Sequence, residues 1–202
     1  MSLTRQFALP KGIGGRLVGR MMARRHAAQV DGVVAELGPA AGESVLEIGF
    51  GPGTGLVALA QAAPDVRVAG IDPSSVMVAE AGRRVRRFGE RVQVREGTAA
   101  ALPWDDGSFD AVCAVNSVQL WQPRIGSMAE VLRVLKPGGR LVLGVIDVAI
   151  LPDLSRVTAD FDGILAAELA KAGFTGVSAE WRAMAGAEGR RELVVRAARP
   201  AA

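Results

Sequence analysis

The fold of this 202-residue chain is decided by the stretch Val45-Leu46-Glu47-Ile48-Gly49-Phe50-Gly51-Pro52-Gly53-Thr54-Gly55. Its first residues end a predicted apolar strand, and a predicted helix begins at Thr54. Glycines between the two let the backbone approach a ligand and adopt conformations that are closed to residues with a β-carbon. The helix start adds unpaired N–H groups and the positive end of a dipole. The turn therefore predicts a ligand site at the end of a strand.

The segments on either side of this turn alternate between strand and helix patterns. Strands are predicted at 44–48, 66–71, 92–95, 110–115 and 140–146, and helices at 54–62, 74–88 and 128–135. The strands are near-continuous apolar runs, which indicates a parallel sheet with helices on both faces. Ligands of such doubly wound sheets bind at the carboxyl ends of strands, where the strand order reverses.

The C-terminal part departs from this alternation. After a predicted helix at 160–172, two strand patterns at 176–182 and 192–198 are joined by a glycine-bearing loop that is too short for a helix. Such strands should pair antiparallel. The predicted fold is an α/β, doubly wound, Rossmann-like sheet of seven mostly parallel strands with a C-terminal antiparallel hairpin. It differs from the six-parallel-strand dinucleotide fold.

The chain is expected to form one domain with an N-terminal helical arm. Residues 1–16 are rich in glycine, proline and basic side chains, which predicts an irregular segment. Apolar residues at helical spacing predict a weakly amphipathic helix over 17–37, which Gly38 and Pro39 end. We assign residues 1–37 to the arm and 38–202 to the ligand-binding domain.

Composition excludes several classes of site. Single Cys and His residues exclude an intramolecular disulfide and the usual cysteine and histidine metal sites, so no metal is expected. No signal peptide or membrane-spanning run is recognised, so a cytoplasmic protein is expected. The arginines of residues 83–91 spread around a helix, and aromatic residues make up only 4% of the chain. A solvated helix face is therefore favoured over a nucleic-acid partner.

The residues Glu47 to Gly53 have the order acidic-x-Gly-x-Gly-x-Gly, which resembles the first motif of class I S-adenosylmethionine-dependent methyltransferases. The dinucleotide spacing G-x-G-x-x-G fails, because its last position falls on Thr54 or Leu56. Four more segments resemble motifs of the same family, in order and at the family's spacing: Gly70–Ser74, Gly97–Trp104, Ser108–Ser117 and Leu132–Leu141. The resemblance therefore covers nearly the whole chain.

The resemblance implies which residues bind S-adenosylmethionine. Asp72 occupies the place of the family's ribose-binding acid, since one carboxylate accepts from two hydroxyls. Thr98 stands where the family usually has the Asp that accepts from the adenine amino group, and a hydroxyl is a weaker acceptor. Asn116 ends the fourth strand beside the reacting centre. The full predicted set is Glu47, Gly49, Gly51, Gly53, Asp72, Pro73, Thr98, Ala99, Asn116, Ser117 and Trp121.

Methyl transfer from this cofactor, which yields S-adenosylhomocysteine, requires in-line positioning and needs a base only if the nucleophile must lose a proton. The sequence offers no catalytic triad, and the candidates for a base are His26 and Asp147. A surface role for His26, a loop or cap role for Asp147 and plain burial of Trp121 are alternatives. Cys113, in mid-strand, is expected to be an inert core residue.

The acceptor is expected to be a small molecule or small peptide. Residues 116–119 lack the Asn/Asp-Pro-Pro-Tyr/Phe pattern of family members that methylate exocyclic base amines or glutamine amides. In this family the N-terminal arm often folds over the cofactor as a lid or substrate wall. Basic residues in that arm are compatible with an acidic substrate. The alternatives are a non-catalytic cofactor-binding partner subunit and, disfavoured by the glycine spacing, a nucleotide-cofactor oxidoreductase.

Overall fold

The computed structural model describes residues 27–147, 160–184 and 190–202. The predicted arm up to residue 26, including His26, and residues 148–159 and 185–189 lie outside the described residues. In chain order the elements are α1 (Ala27–Leu37), β1 (Ser44–Ile48), α2 (Thr54–Ala62), β2 (Arg67–Asp72), α3 (Ser75–Val85), β3 (Val92–Glu96), β4 (Phe109–Val115), α4 (Arg124–Val134), β5 (Leu135–Ile146), α5 (Phe161–Ala172), β6 (Thr175–Ala183) and β7 (Arg191–Ala198). Short 3₁₀ helices cover Arg86–Arg91 and Val118–Leu120.

The seven strands form one sheet in the order β3-β2-β1-β4-β5-β7-β6. Pairs among β1 to β5 are parallel, whereas β7 is antiparallel to both β5 and β6. The predicted fold class and the C-terminal hairpin are confirmed. The chain runs outward from β1 to β3 and then returns to place β4 on the other side of β1. The strand order therefore reverses between β1 and β4, where the glycine turn lies.

Three boundaries differ by three or more residues from the sequence-based prediction. Helix α4 begins at Arg124 rather than at residue 128. The predicted helix 74–88 ends as an α-helix at Val85, and a 3₁₀ segment with Gly89 at a positive φ of 59° follows. The fifth strand begins at Leu135 rather than at residue 140, because the chain re-enters the sheet through an irregular register between Phe109 and Ala111. Pro137-Gly138-Gly139 therefore interrupts the pairing inside the strand and does not merely precede it.

Helices cover both faces of the sheet, as predicted. On one face α1, α2 and α3 bury apolar residues that include Val33, Leu56 and Met77. On the other, α4 and α5 bury Met128, Leu165 and others. Each fully buried Leu or Met side chain contributes about 1.5–3 kcal/mol relative to an exposed one. None of the helices in the described parts of the chain is long and apolar enough to cross a bilayer.

Helix α1 lies close against the sheet at Gly144 of β5. A β-carbon at Gly144 would lie 2.5 Å from Val33 Cγ2, so only glycine permits this approach. Ion pairs join the helix to the C-terminal hairpin, with Glu36 contacting both Arg196 and Arg182. These contacts hold α1 against β5 and the C-terminal hairpin.

Candidate active site

The glycine turn between β1 and α2 has a backbone that few other residues adopt. Gly49, Gly51 and Gly53 have φ values of 75°, 53° and 82°, in the left-handed region that favours glycine. The Gly49 N–H donates to Ile71 O at 2.7 Å, and a β-carbon at Gly49 would lie 2.4 Å from Ser117 Cβ. The turn is thereby held against the ends of β2 and β4.

A side chain from α3 also holds this turn. Arg84 Nη1 donates to Pro52 O and to Thr54 Oγ1, the latter at 3.3 Å, and the guanidinium pairs with Glu80 at 3.6 Å. The sequence prediction placed Arg84 on a solvated face, and for this arginine the structure shows a contact to the turn. The prediction missed it because about 30 residues of chain separate the partners.

Asp72 ends β2 and is 6% exposed. Its Oδ2 accepts from Gly51 N at 2.8 Å and its Oδ1 from Ser74 N at 2.9 Å. Burial raises the pKa of this carboxyl, and the two N–H groups partly offset that rise. Each oxygen keeps a lone pair, so the carboxylate is able to accept two further donors. Pro73, between Asp72 and Ser74, is exposed.

Glu47 presents an unusual buried carboxyl group at the end of β1. It is 3% exposed, and its Oε2 has no hydrogen-bond partner among the described residues. Burial, with a smaller contribution from the nearby Asp72, raises the pKa of Glu47 to about 8. Gly55 makes room for it, because a β-carbon there would lie 2.1 Å from Glu47 Oε1. An unpaired carboxyl of this kind is suited to a cationic ligand group.

The segment predicted to face adenine meets the end of β2. Gly97 N donates to Asp72 O at 3.1 Å, which brings the ends of β2 and β3 together. Thr98 is exposed and Ala99 is buried. The structure thus groups Asp72, Thr98 and Ala99 at one side of the glycine turn.

Asn116 and Ser117 follow β4 on the other side of the turn. Asn116 has a positive φ of 53°, and its side chain accepts from Ile146 N at 3.0 Å. Its Nδ2 donates to Gln29 Oε1 at 2.6 Å, so the amide group is engaged by α1 and β5. Ser117 Oγ donates to Ile48 O at 2.6 Å and ties β4 to β1. The backbone N–H of Asn116 donates to Gly144 O at 2.8 Å, and its carbonyl oxygen accepts from Gln119 Nε2 at 3.0 Å and keeps a second lone pair.

Gln29 is a residue that the sequence prediction missed. It is fully buried on α1, 87 residues away from its partner Asn116. One signal in the sequence pointed to this contact: Gly144 is an isolated glycine in an apolar strand, which marks a close approach of another segment.

Two further predicted residues lie near the same sheet edge. Trp121 is 6% exposed within the core cluster of α4 and α5, and its Nε1 is buried without a partner in the described structure. Asp147, just after β5, accepts from Arg191 N at 3.2 Å, while its Oδ1 lacks a partner among the described residues. Both therefore keep a polar atom that is not used within the described structure.

The described residues do not group His, Cys, Asp and Glu in a way that suits a metal ion. Cys113 is 1% exposed in the middle of β4, and burial raises the pKa of its thiol well above the usual value. A buried thiol of this kind is unreactive, in agreement with its expected core role.

Residues 45–139 match a family model described as a methyltransferase domain. An uncharacterized methyltransferase, YdaC, of Bacillus subtilis is 32% identical over 127 residues, which cover 63% of this chain and 69% of that protein. A demethylmenaquinone methyltransferase of Clavibacter sepedonicus is 43% identical over 106 residues, 52% of this chain and 42% of its own length. The chain thus spans less than half of that second relative.

The fold is also that of a solved S-adenosylmethionine-dependent methyltransferase from Aquifex aeolicus. The TM-score is 0.70 at 21% identity, with 87% of this chain and 92% of the other covered. At this level of identity the likeness concerns the fold.

Proposed function

This chain belongs to the class I S-adenosylmethionine-dependent methyltransferases, and we propose that it methylates a small organic molecule held over the carboxyl ends of β4 and β5. The observation that carries the proposal is the left-handed glycine turn set between two buried carboxyl groups, Glu47 and Asp72. S-adenosylmethionine is the cofactor of this family.

The residues at the turn fit this cofactor. The free lone pairs of Asp72 match two adjacent ribose hydroxyls. The unpaired Glu47 Oε2 matches a cationic amino group, whose charge would favour the ionised carboxylate. A β-carbon at Gly51 would meet no atom within 4 Å, so the turn leaves open space beside Asp72. Thr98 and Ala99 are assigned to adenine, and the backbone of Asn116 and Ser117 to the methionine end.

The cofactor supplies a methyl group that is already activated by its cationic sulfur. The protein therefore has to bind the acceptor in line and exclude water, and positioning alone lowers much of the barrier. Rigid attachment of Asn116 to α1 and β5, and of Ser117 to β1, supports such positioning. Asp147 is kept as a candidate for orienting the acceptor, and His26 stays a prediction outside the described residues.

A small acceptor is supported by the short connection between β4 and α4, whose eight residues add no domain at that point of the sheet edge. A small acceptor also agrees with the name of one relative, a demethylmenaquinone methyltransferase. An acidic acceptor, a cytoplasmic location and the absence of a nucleic-acid partner stay predictions from the sequence. The prediction of an acidic acceptor rests on the basic side chains of the N-terminal arm, Arg20 and Arg24 among them, which lie outside the described residues.

A transfer assay with labelled S-adenosylmethionine and a metabolite extract tests the proposal. Wild-type protein should move the label into a small-molecule fraction, whereas the Asp72→Asn variant should move much less. Titration of S-adenosylhomocysteine by calorimetry, run in parallel, establishes that the cofactor site is intact. Cofactor binding without label in any small molecule would contradict the proposed acceptor class.

A further inference from the structure

Three amide side chains form a chain of hydrogen bonds across the carboxyl ends of β4 and β5. Gln29 of α1 pairs with the side chain of Asn116 through two bonds of 2.6 and 3.3 Å. The main-chain oxygen of Asn116 in turn accepts from Gln119 Nε2 at 3.0 Å. This series of hydrogen bonds thus connects a fully buried residue of α1 to the 3₁₀ segment after β4.

Two backbone groups determine which atom is the donor and which the acceptor in every hydrogen bond of this series. The N–H of Ile146 only donates, so the atom that it meets is Asn116 Oδ1 and the Nδ2 must face Gln29. The carbonyl of Asn116 only accepts, so Gln119 must present its nitrogen there. The remaining atom of the Gln119 amide is therefore an oxygen, which can only accept a hydrogen bond.

This oxygen, Gln119 Oε1, is buried and has no hydrogen-bond partner in the described structure. Native proteins pair nearly all buried polar atoms, and an unpaired one lowers stability. Gln119 lies two residues beyond Ser117, which contacts both the end of β1 and Gly49. The unpaired oxygen thus belongs to the sheet edge where the cofactor and the methyl acceptor would meet.

We propose that Gln119 Oε1 accepts an O–H or N–H hydrogen bond from a ligand bound at this edge. The inference rests on the proposed function, and the protic group belongs either to the methyl acceptor, as a hydroxyl or an amine, or to the amino group of the cofactor. An amide oxygen is not a useful base, so its role is to bind and orient the protic group, and no proton transfer is assigned to it. A ligand that offers only ether or carbonyl oxygens would leave the atom unpaired.

Two substitutions separate the ligand contact from the structural bond. Gln119→Met removes both the nitrogen that donates to Asn116 and the oxygen, whereas Gln119→Glu keeps an oxygen at the same distance from the backbone. Gln93→Met, at an exposed glutamine of β3, is the matched control. Each variant is measured for S-adenosylhomocysteine affinity by calorimetry, for transfer of labelled methyl into the metabolite extract, and for its thermal unfolding midpoint.

If the methyl acceptor provides the donor, Gln119→Met lowers label transfer about tenfold or more and leaves S-adenosylhomocysteine affinity within about twofold of the wild type. Gln119→Glu then recovers most of the transfer activity. If the cofactor provides the donor, Gln119→Met instead loses about tenfold in S-adenosylhomocysteine affinity, and Gln119→Glu recovers that affinity. Wild-type label transfer together with wild-type S-adenosylhomocysteine affinity in Gln119→Met would overturn the inference. Equal losses in the Met and Glu variants would also overturn it, because they would indicate a structural role alone.

If wild-type protein moves no label, the proposed function fails, and the affinity measurement alone decides this inference.

Discussion

The two ends of the candidate site are built in different ways. At the cofactor end, Gly51 and Asp72 lie 21 residues apart and meet through a backbone N–H. At the acceptor end, Gln29 and Asn116 lie 87 residues apart and meet through side chains. The cofactor end therefore depends on backbone geometry, which a short motif encodes. The acceptor end depends on how distant elements pack, which a short motif does not encode.

The largest expected effect comes from Gly49→Ala, because Gly49 contacts Ser117 where the two ends of the site meet. The new β-carbon would lie 2.4 Å from Ser117 Cβ, at a φ of 75°. We expect a loss of about 3 kcal/mol or more in the free energy of unfolding, measured in urea, because overpacking adds to the backbone strain. Gly138→Ala is the control, since it has the same φ with no atom within 4 Å, and it should cost about 1 kcal/mol. Equal losses in the two variants would mean that the contact with Ser117 is unimportant.

The buried carboxyl of Glu47 should make stability depend on pH. Its folded pKa of about 8 lies above the value of 4.5 expected for the unfolded chain, so the folded state holds more protons between these values. The free energy of unfolding should therefore fall as the pH rises from 5 to 9, by an amount on the order of 3 kcal/mol. Urea unfolding of Glu47→Gln should show much less of this fall, and Glu96→Gln, at an exposed carboxylate, should behave as the wild type. An unchanged pH dependence in Glu47→Gln would show that another group is responsible.

Asp72→Asn tests the cofactor end by itself. Loss of the carboxylate should weaken the binding of S-adenosylhomocysteine by about 1.5–3 kcal/mol, or about 10- to 150-fold, if its oxygens accept the ribose hydroxyls. Calorimetry measures the affinity. Glu96 pairs in register with Asp72 on the neighbouring strand and is exposed, so Glu96→Gln is a close control that should bind normally. Wild-type affinity in the Asp72 variant would remove this residue from the cofactor site.

Gln29→Leu tests the acceptor end and should give the smallest effect. The substitution leaves Asn116 Nδ2 without its partner, which should cost about 1–2 kcal/mol in the free energy of unfolding in urea. S-adenosylhomocysteine affinity should change little, whereas label transfer should fall, because α1 and β4 are no longer joined there. Gln61→Leu, at an exposed glutamine of α2, is the control. A larger loss of cofactor affinity than of transfer would contradict the division of the site into two ends.

Much of the fold was predictable because its signals are local. The strand Ser44–Ile48 and the helix Thr54–Ala62 have the predicted bounds, since apolar runs and glycine punctuation act within a few residues. Ser74 caps α3, accepting from Met77 N at 3.4 Å. The start of β5 was misjudged, because Pro137-Gly138-Gly139 resembles a break between elements, whereas pairing with Phe109 extends the strand across it.

The sequence by itself determined the α/β alternation, the glycine turn and the buried acid at the end of β2, because these depend on local backbone conformation and on hydrogen bonds over short separations. Only the tertiary structure decided that Arg84 holds the turn, that Gln29 engages Asn116 and that Gln119 keeps an unpaired oxygen. These contacts depend on the packing of α1 and α3 against distant strands. A polar side chain buried by such packing can no longer form hydrogen bonds with water. Its hydrogen bonds therefore depend on the groups that the fold places beside it.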